Sequence, residues 1–549
     1  SLYMEEGVRM TTREVDVVVV GAGFAGMYLL HRMRQLGLST QVFEAADGVG
    51  GTWYWNRYPG ARCDAESMAY SYSFDPELEQ EWQWTERYAT QPEILKYLNH
   101  VTDRFNLRRD IEFNTRVTGA NYDDKTKRWS VSTDQGHKVR ARFCMMATGC
   151  LSTPQNPDIA GLKNFAGPTY MTGQWPHEGV DFGGKTVGII GTGSSAIQAI
   201  PVIAAQANHV TVFQRTPNFS VPAYNAPLDK DWVEHYKKDY PTHRDDYRQA
   251  RVTSFGDLMN PDEFREVDEQ MLLETPIEEV HEKLERFWQF GGARFMWAFV
   301  DTIASEEANR VVADFVRSKI RETVNDPKVA DLLCPSSYPI GTKRICVDTD
   351  YYATYNRDNV VLVDIASSPL QTVTEQGLKT TAEDYGFDIL VLATGFDAMT
   401  GTLSRMNITG TEGVPLNDTW AEGPKAYLGL GVNKFPNLFL ITGPGSPSVL
   451  SNMIVSIEQH VDFITDMMVH MGENQYESVE PDPGAQEAWV AHVNEVANGT
   501  LFPKAGSWYM GANIPGKPRV FMPYAAGVAV YREVCDGVVA QGYQGFSFS

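Results

Sequence analysis

The sequence has little cysteine, no excess of basic charge and no long apolar run. Its six cysteines form no CxxC pair, which argues against a zinc ribbon, a disulfide scaffold or another metal site. They are Cys63, Cys144, Cys150, Cys334, Cys346 and Cys535. Acidic residues outnumber basic residues by 70 to 47, so we expect no broad surface for nucleic acid or for an anionic membrane. No run reaches the roughly 18 apolar residues that a transmembrane helix requires.

The composition is that of a globular protein. Of the 549 residues, 43% are hydrophobic and 21% are charged, which excludes a disordered chain, a collagen and a coiled coil. At roughly 150 residues per domain, this length predicts about two to four domains. The first ten residues contain acids and no apolar segment, so we expect no signal peptide and predict a cytoplasmic location. We expect a monomer, with a dimer as the alternative.

A strand, a glycine-rich turn and a helix follow one another twice along the chain. The valine-rich residues 15–20 predict a buried parallel strand before the turn GAGFAG, and residues 186–190 predict another before the turn GTGSSA. Such turns let backbone N–H groups and a helix N-terminus meet a pyrophosphate. Two dinucleotide sites are therefore predicted. Their turn residues are Gly21, Gly23, Ala25 and Gly26 in the first, and Gly191, Thr192, Gly193, Ser194 and Ser195 in the second.

The residue that ends the next strand has opposite charge in the two units. Glu44 stands 23 residues after Gly21, where a carboxylate accepts hydrogen bonds from ribose hydroxyls. Arg215 stands 24 residues after Gly191, and a positive charge there suits a ribose 2′-phosphate. We interpret the first unit as a site for FAD or NAD and the second as a site for NADP. Together they indicate a flavoprotein that is reduced by NADPH.

The order of these patterns predicts an α/β protein with two Rossmann-like dinucleotide-binding domains, for FAD and NADP, and a helical insertion. The expected boundaries are 1–150 and 389–549 for the FAD-binding domain, 151–224 and 336–388 for the NADP-binding domain, and 225–335 for the insertion. Within the insertion, Thr275, Pro276 and Glu278 have the spacing of an N-cap, a first helical proline and a capping-box acid. A helix is therefore predicted to begin there.

Five further motifs occur in order along the chain. Residues 50–55 read GGTWYW, and residues 58–64 read YPGARCD. Residues 341–344 read GTKR, residues 393–397 read ATGFD, and residues 507–513 read SWYMGAN. Together they resemble the motifs of the Baeyer–Villiger monooxygenases, and the resemblance covers nearly the whole chain.

The resemblance implies a reaction cycle that uses FAD, NADPH and O2. NADPH reduces the flavin, the reduced flavin forms a C4a-peroxyflavin with O2, and the peroxide attacks a ketone carbonyl. The adduct then rearranges to an ester or a lactone. The flavin carries the chemistry, and the protein must position the reactants, stabilise charge and exclude water. The aliphatic and aromatic residues of the implied substrate segment favour an apolar ketone.

The resemblance also implies roles for two charged residues at the reacting centre. Arg344 would supply a fixed positive charge to the peroxyflavin and the adduct, and its guanidinium fork can hold two oxygens. Asp64 would be the carboxylate that anchors this arginine between nicotinamide and peroxide. Lys343, Arg215 and Thr216 would share the 2′-phosphate of NADP.

The remaining implied contacts follow the same motifs. Trp508 would reach the nicotinamide half of NADP. Contacts with FAD are implied for Thr52, Trp53, Trp55, Asp64, Tyr70, Val117 and Met453. The substrate pocket would be lined by Cys150, Ser448, Val449 and Leu450.

One position departs from the family pattern. The linker fingerprint FxGxxxHxxxWP is present from Phe165 to Pro176, but Met171 replaces the histidine. Methionine neither carries charge nor donates a strong hydrogen bond. We expect weaker coupling between the nucleotide domains or a compensating partner; the alternative is that Met171 only fills a packing gap.

Three alternatives stay open at this point. A related flavin monooxygenase that oxidises sulfur or nitrogen would share both glycine-rich turns. A flavin disulfide reductase would need paired redox cysteines, which the spacing of Cys63, Cys144 and Cys150 does not provide. A third alternative is an NADP-sensing flavoprotein that has lost oxygenation, which Met171 favours.

Overall fold

Two sheets organise the computed structural model, which describes residues 12–249 and 269–549. The first eleven residues and residues 250–268 of the predicted helical insertion lie outside these ranges. The first sheet is built around the valine-rich strand Arg13–Val20, which runs parallel to Thr40–Phe43 and to Lys138–Met146. Its strands in spatial order are Asn407–Thr409, Val117–Asp123, Arg128–Thr133, Lys138–Met146, Arg13–Val20, Thr40–Phe43 and Ile111–Glu112, with Leu438–Leu440 also paired to Lys138–Met146.

The second sheet is parallel throughout. Its strands in spatial order are Val360–Asp364, His209–Gln214, Thr186–Ile190, Ile389–Leu392 and Thr169–Met171. Strands buried on both faces read as continuous apolar runs, and Ile389–Leu392 is buried at all four positions. The two predicted units therefore form the centres of two separate sheets, and the α/β class with two Rossmann-like domains is confirmed.

One predicted boundary needs correction. We expected residue 389 to begin the second part of the FAD-binding domain, but Ile389–Leu392 lies in the second sheet, between Thr186–Ile190 and Thr169–Met171. The chain returns to the first sheet only at Asn407–Thr409. The reason is that each sheet has an apolar strand followed by Ala-Thr-Gly, and this pattern does not show to which sheet the strand belongs.

Helices surround the two sheets and predominate in the described part of the predicted insertion. They are Phe24–Gln35, Thr52–Trp55, Pro76–Glu81, Gln91–Arg104, Ser194–Gln206, Lys230–Lys238, Tyr240–Arg248, Ile277–Phe290, Glu306–Thr323, Pro327–Leu333, Tyr351–Thr354, Gly401–Ser404, Leu416–Thr419, Met453–Glu473, Pro483–Asn498 and Val528–Ala540. The described helices of the insertion join the cores of both sheets. Tyr236 packs in the core of the first sheet, whereas Leu284 and Val316 pack in that of the second. This arrangement ties the two dinucleotide units together.

The predicted capping box is wrong in its details. The helix of the insertion begins at Ile277 with Pro276 as its N-cap residue. The hydroxyl of Thr275 instead donates a hydrogen bond to the carbonyl oxygen of Met271, 2.7 Å away. A threonine hydroxyl can bond to nearby backbone on either side, and here the preceding short 3₁₀ turn takes it.

Short sheets complete the fold. They pair Ser220–Pro222 with Cys346–Asp348, Leu370–Val373 with Gly377–Thr380 and Asp384–Gly386, and Val479–Pro481 with Phe546–Phe548. The first of these pairs matters for the site, because the chain that precedes Cys346 carries Lys343 and Arg344. It lies beside the end of the second sheet and brings both cations to the space between the two glycine-rich turns.

Candidate functional site

The first glycine-rich turn is closely packed on every side. Gly21 has a φ of +106°, and a Cβ there would lie within 3.0 Å of the carbonyl oxygen of Ala147, at the end of the neighbouring strand. A Cβ on Gly26 would come even closer to the carbonyl oxygen of Gly21. Gly23 meets the backbone of Gly51, with a Cβ-to-Cα distance of 3.5 Å. Only glycine fits at positions 21 and 26, so the turn keeps its backbone N–H groups accessible to a phosphate.

Glu44 fixes the far end of the first site. Its side chain is buried, and its two oxygens accept hydrogen bonds from the N–H groups of Ala22 and Ala46, at 3.0 and 2.9 Å. Burial raises the pKa of this carboxyl above its usual value, although the two backbone hydrogen bonds oppose the shift. Each carboxylate oxygen retains a lone pair, so Glu44 can also accept from a ribose hydroxyl, as the sequence predicts.

The second glycine-rich turn has the same backbone and more open space. Gly191 has a φ of +118°, and a Cβ there would lie within 3.0 Å of the carbonyl oxygen of Ala393. A Cβ on Gly193 would meet nothing within 4 Å. Ala196 stands where the first turn has Gly26, so this turn accommodates a buried methyl group. The hydroxyl of Thr192 donates to the carbonyl oxygen of Thr216, at 2.9 Å, which ties the turn to the end of the next strand.

Two cations meet beside the second turn. Arg215 follows the strand His209–Gln214, and Lys343 approaches it from the segment before Cys346–Asp348. Burial lowers the pKa of the Lys343 ammonium, and the positive charge of Arg215 lowers it further. Among the described residues, neither side chain has an ion-pair partner. Two cations held together in this way favour a dianion such as a phosphate between them.

Both turns line one cavity of about 1570 Å³. This volume exceeds that of an ordinary small-ligand pocket, roughly 300–1,000 Å³, and is suited to more than one ligand. The predicted site residues that line it are Gly21, Gly23, Ala25, Glu44, Thr52, Trp53, Trp55, Asp64, Tyr70, Val117, Cys150, Gly191, Thr192, Gly193, Ser194, Ser195, Arg215, Thr216, Lys343, Arg344, Val449, Met453 and Trp508. Gly26, Ser448 and Leu450 are not on its wall.

Arg344 and Asp64 form a bidentate ion pair in the cavity wall. The Nε and one terminal nitrogen of the guanidinium donate to the two carboxylate oxygens, at 2.8 and 2.9 Å. The other terminal nitrogen donates to the carbonyl oxygen of Val449, at 2.5 Å. Burial alone would lower the pKa of this arginine, but the Asp64 carboxylate outweighs it and the pKa is raised. The guanidinium is therefore a fixed charge with a fixed orientation.

The predicted substrate segment is only partly on the cavity wall. Val449 and Cys150 line the cavity, whereas Ser448 and Leu450 are buried behind it. The thiol of Cys150 lies 3.0 Å from the Ser448 hydroxyl and also donates to the carbonyl oxygen of Thr442. Ser448 has a φ of +47°, so the backbone turns there. Sequence pattern alone does not show such a turn at a non-glycine residue.

Aromatic residues form another part of the wall. The indole nitrogen of Trp53 donates to the hydroxyl of Tyr70, at 3.0 Å, and the two rings meet edge to face. The amide of Gln91 donates to the carbonyl oxygen of Trp53, at 2.6 Å. The motif GGTWYW therefore places rigid aromatic surface directly against the first glycine-rich turn.

Sequence reasoning missed several residues of this site. Tyr58, Arg62 and Gln198 line the cavity where the two units meet. The Tyr58 and Arg62 positions lie inside the recognised YPGARCD motif, which is the signal that could have found them. Gln198 lies one turn into the helix Ser194–Gln206 and carries no signal in the glycine fingerprint.

Met171 belongs to the edge strand of the second sheet. It ends the strand Thr169–Met171, is half-buried and packs with an apolar cluster that includes Phe165 and Leu392. This surrounding favours the interpretation that Met171 fills packing space. It does not test the coupling between nucleotide domains.

The cysteines do not form a redox pair. All six lie in the described ranges, and each is a buried free thiol. Burial raises the pKa of Cys150, which disfavours the reactive thiolate. Within residues 12–249 and 269–549, no cluster of three or more ligating side chains could hold a metal ion. In the same ranges no helix is long and apolar enough to span a membrane.

Two glycine-rich turns that face one cavity, with an acid at one and cations at the other, define an oxidoreductase that holds two dinucleotides. Residues 18–254 match the family model described as pyridine nucleotide-disulphide oxidoreductase. The chain is 43% identical to a protein named Baeyer-Villiger monooxygenase from Pseudooceanicola batsensis, over 98% of this chain and 97% of that protein. It is 39% identical to a phenazine N-monooxygenase from Lysobacter antibioticus, over 97% and 96% of the two chains.

A solved structure extends the likeness to three dimensions. It is titled as an oxidised steroid monooxygenase bound to NADP, is 50% identical to this chain, and superposes with a TM-score of 0.92. The match covers 97% of this chain and 99% of that chain. The chain belongs to the Baeyer–Villiger monooxygenase family.

Proposed function

We propose that this protein catalyses the NADPH- and O2-dependent oxidation of an apolar ketone to an ester or lactone. The observation that carries the proposal is the Arg344–Asp64 pair, held between the two dinucleotide turns. Family membership supports the reaction class. The apolar residues Val449 and Met453 in the cavity wall support an apolar substrate.

The residues around each turn fit the two cofactors. Positions 21 and 26 leave no room for a Cβ. A glycine-rich turn of this kind lets a pyrophosphate approach the backbone closely. Glu44 fits the ribose diol of FAD, and Arg215 with Lys343 fits the 2′-phosphate of NADP. Trp53 and Tyr70 provide an aromatic surface suited to a flavin ring. When bound, the flavin supplies the redox chemistry by accepting a hydride from NADPH and activating O2.

The protein's own contribution is charge and orientation. Oxygen insertion develops negative charge on oxygen beside the carbonyl carbon, and the Arg344 guanidinium can stabilise that charge without titrating. Asp64 keeps the guanidinium plane fixed through two hydrogen bonds. Because Arg344 also donates to the Val449 carbonyl oxygen, the charge is positioned directly beside the proposed substrate wall.

A product assay tests this proposal. Purified holoenzyme with NADPH and ¹⁸O2 is given a panel of short aliphatic, cyclic, aryl and steroid ketones, and products are identified by mass spectrometry. We expect an ester or lactone that carries one ¹⁸O atom, with about one molecule of product formed for each NADPH oxidised. NADPH oxidation that yields only hydrogen peroxide with every ketone would reject the proposal and favour the alternative of a sensor that has lost oxygenation.

A second candidate is oxidation of a ring nitrogen. It is favoured by the 39% identity to the phenazine N-monooxygenase. Adding a phenazine and a thioether to the same panel separates the candidates, because an N-oxide or sulfoxide resists the alkaline hydrolysis that cleaves an ester. The cytoplasmic location and the monomeric state that the sequence predicts stay predictions.

A further inference from the structure

The side chain of Gln198 links the two dinucleotide units through two hydrogen bonds. Gln198 lies on the helix Ser194–Gln206, whose N-terminus is the second phosphate-binding turn. Its Oε1 accepts a hydrogen bond from the hydroxyl of Tyr58, at 2.6 Å. Its Nε2 donates to the backbone carbonyl oxygen of Arg62, at 3.0 Å. Both ends of the amide are therefore used, and both partners belong to the loop of the first unit.

The backbone of that loop is fitted to the same helix. Gly60 has a φ of +79°, and a Cβ there would lie within 3.0 Å of the backbone carbonyl oxygen of Gln198. The loop and the helix are thus in direct contact at position 60, and the side chain of Gln198 spans the contact on both sides. A glycine is required because the two backbones approach so closely.

The loop is also anchored to its own unit around position 62. The N–H of Cys63 donates to the carbonyl oxygen of Ala89, at 3.0 Å, and the N–H of Gln91 donates to that of Ala61, at 2.9 Å. Arg62 itself is held by Glu86, at 2.5 Å. Between these anchors, the carbonyl group of Arg62 points away to Gln198. Asp64, two residues further, makes the bidentate pair with Arg344.

We propose that Gln198 is a positioning residue that transmits occupancy of the second dinucleotide site to Asp64, and through it to Arg344. A shift of the helix when NADPH binds at its N-terminus moves Gln198, and the amide carries that shift to the carbonyl of Arg62. The inference rests on the proposed function, in that the arginine must be correctly placed toward the bound NADPH and the substrate.

The test replaces the amide with an apolar group on a side chain of similar length. Gln198→Met keeps the length of the side chain but removes both hydrogen bonds. We expect an unchanged ratio of FAD to protein and a slightly lower melting temperature, because the Arg62 carbonyl and the Tyr58 hydroxyl each lose a partner. We expect the limiting rate of anaerobic flavin reduction at saturating NADPH to fall about fivefold to tenfold. Gln206→Ala, at the exposed end of the same helix, is the matched control and should reduce at the wild-type rate.

A double variant separates positioning from simple support of the fold. If Gln198 acts through Asp64, adding Gln198→Met to an Asp64→Asn protein should change the reduction rate by less than twofold. A full fivefold to tenfold loss in that background would overturn the inference. So would a wild-type rate in Gln198→Met, or loss of FAD from that variant.

The outcomes also separate this inference from the proposed function. Wild-type enzyme that is reduced by NADPH but forms no ester from any ketone would reject the proposed function, and the reduction rates would still decide the role of Gln198. Wild-type enzyme that forms ester, together with a Gln198→Met variant of unchanged reduction rate, would reject the inference alone. Wild-type flavin that NADPH does not reduce at all would reject both.

Discussion

The two glycine-rich turns share a backbone but differ in how tightly they are enclosed. In the first, Gly23 faces Gly51 and Gly26 packs directly against the carbonyl oxygen of Gly21. In the second, a Cβ on Gly193 would meet nothing within 4 Å, and the turn accommodates the buried methyl group of Ala196. An enclosed turn suits a cofactor that stays bound, and an open one suits a cofactor that enters and leaves with each turnover.

The charged residues at the two sites also differ in burial, as the two turns differ in enclosure. Glu44 is buried and held by two backbone N–H groups, whereas Arg215 is exposed and belongs to a pair of cations. A buried, hydrogen-bonded acid recognises a neutral diol by geometry. An exposed cation attracts a dianion from solution and releases it when conditions change. The comparison teaches that one fold unit can serve as a permanent or an exchangeable site, depending on what encloses it.

Arg344→Ala tests the point where the two sites meet and should have the largest effect. The guanidinium belongs to neither turn, so FAD should stay bound and NADPH should still bind. Loss of a charge that stabilises the reacting oxygen typically costs about 10²–10³-fold in rate, and we expect ester formation to fall by at least that much. Product yield and FAD content are measured together. Arg344→Lys keeps the charge but loses the guanidinium fork, so its rate of ester formation should lie between those of wild type and Arg344→Ala.

An ester yield of Arg344→Ala near that of wild type would contradict its assigned role. Loss of FAD from the variant would instead place Arg344 within the first site and would break the comparison between the two sites.

Gly26→Ala should separate the enclosed turn from the open one. Alanine in a helix interior is normally favoured over glycine by roughly 0.5–1 kcal/mol, so a destabilised Gly26→Ala variant would indicate a steric clash at this position. Here the methyl group would clash with the carbonyl oxygen of Gly21, and overpacking of this kind costs about 1–3 kcal/mol or more. We expect the purified protein to carry little FAD and to unfold at a lower temperature.

The reverse change at the equivalent position is the control. Ala196→Gly removes a methyl group that the second turn accommodates, and it should cost only about 0.5–1 kcal/mol of helix stability. The KM for NADPH should change by less than about twofold. Equal effects of the two variants on cofactor binding would show that enclosure does not distinguish the sites.

The sequence predicts the two glycine-rich turns and their opposite charges, but it does not predict how tightly each turn is enclosed. The strand Thr186–Ile190 has the predicted bounds, because a short β-branched run beside a glycine-rich turn leaves little choice. The opposite charges of Glu44 and Arg215 also follow from spacing along the chain. What spacing does not show is which distant segment covers each turn. Gly51 covers Gly23 and Ala393 covers Gly191 only in the folded chain. The second Ala-Thr-Gly run was assigned to the wrong sheet for the same reason.

The reacting centre shows the same limit. The pairing of Arg344 with Asp64, 280 residues apart, was implied by resemblance and not by local pattern. The position of Gln198 was missed, because a polar residue on an amphipathic helix gives no sign that both of its amide atoms are used. The substrate roles of Ser448 and Leu450 stay predictions. Both side chains are buried, and the positive φ of Ser448 marks a backbone turn that the sequence pattern does not show.

Arg215→Glu should weaken the second site while leaving the first unchanged. A hydrogen bond to a charged group contributes about 1.5–3 kcal/mol, which corresponds to roughly tenfold to a hundredfold or more in affinity. We expect the KM for NADPH to rise by about that factor, whereas the KM for NADH, which lacks the 2′-phosphate, should not rise. Steady-state kinetics with both coenzymes give the answer. An equal rise for NADPH and NADH would show that Arg215 does not contact the phosphate.

The smallest expected effect concerns buried carboxyls, one packed in each unit. Burial raises the pKa of Glu458 to about 7 and that of Asp348 to about 6, although Arg244 and Ser73 oppose the shift at Glu458 and Ser220 opposes it at Asp348. A raised pKa in the folded state means that folding binds a proton, so the stabilisation is complete below pH 4.5 for Glu458 and is lost as the pH rises through about 7. Glu458→Gln keeps an oxygen that accepts from Ser73 and removes the buried charge. We expect its melting temperature to exceed that of wild type by about 1–3 °C at pH 8 and to converge with it near pH 4.5.

For Asp348→Asn we also expect a melting temperature that exceeds that of wild type by more as the pH rises, with the increase ending near pH 6. A difference in melting temperature that does not grow with pH would mean that neither carboxyl is protonated in the folded protein.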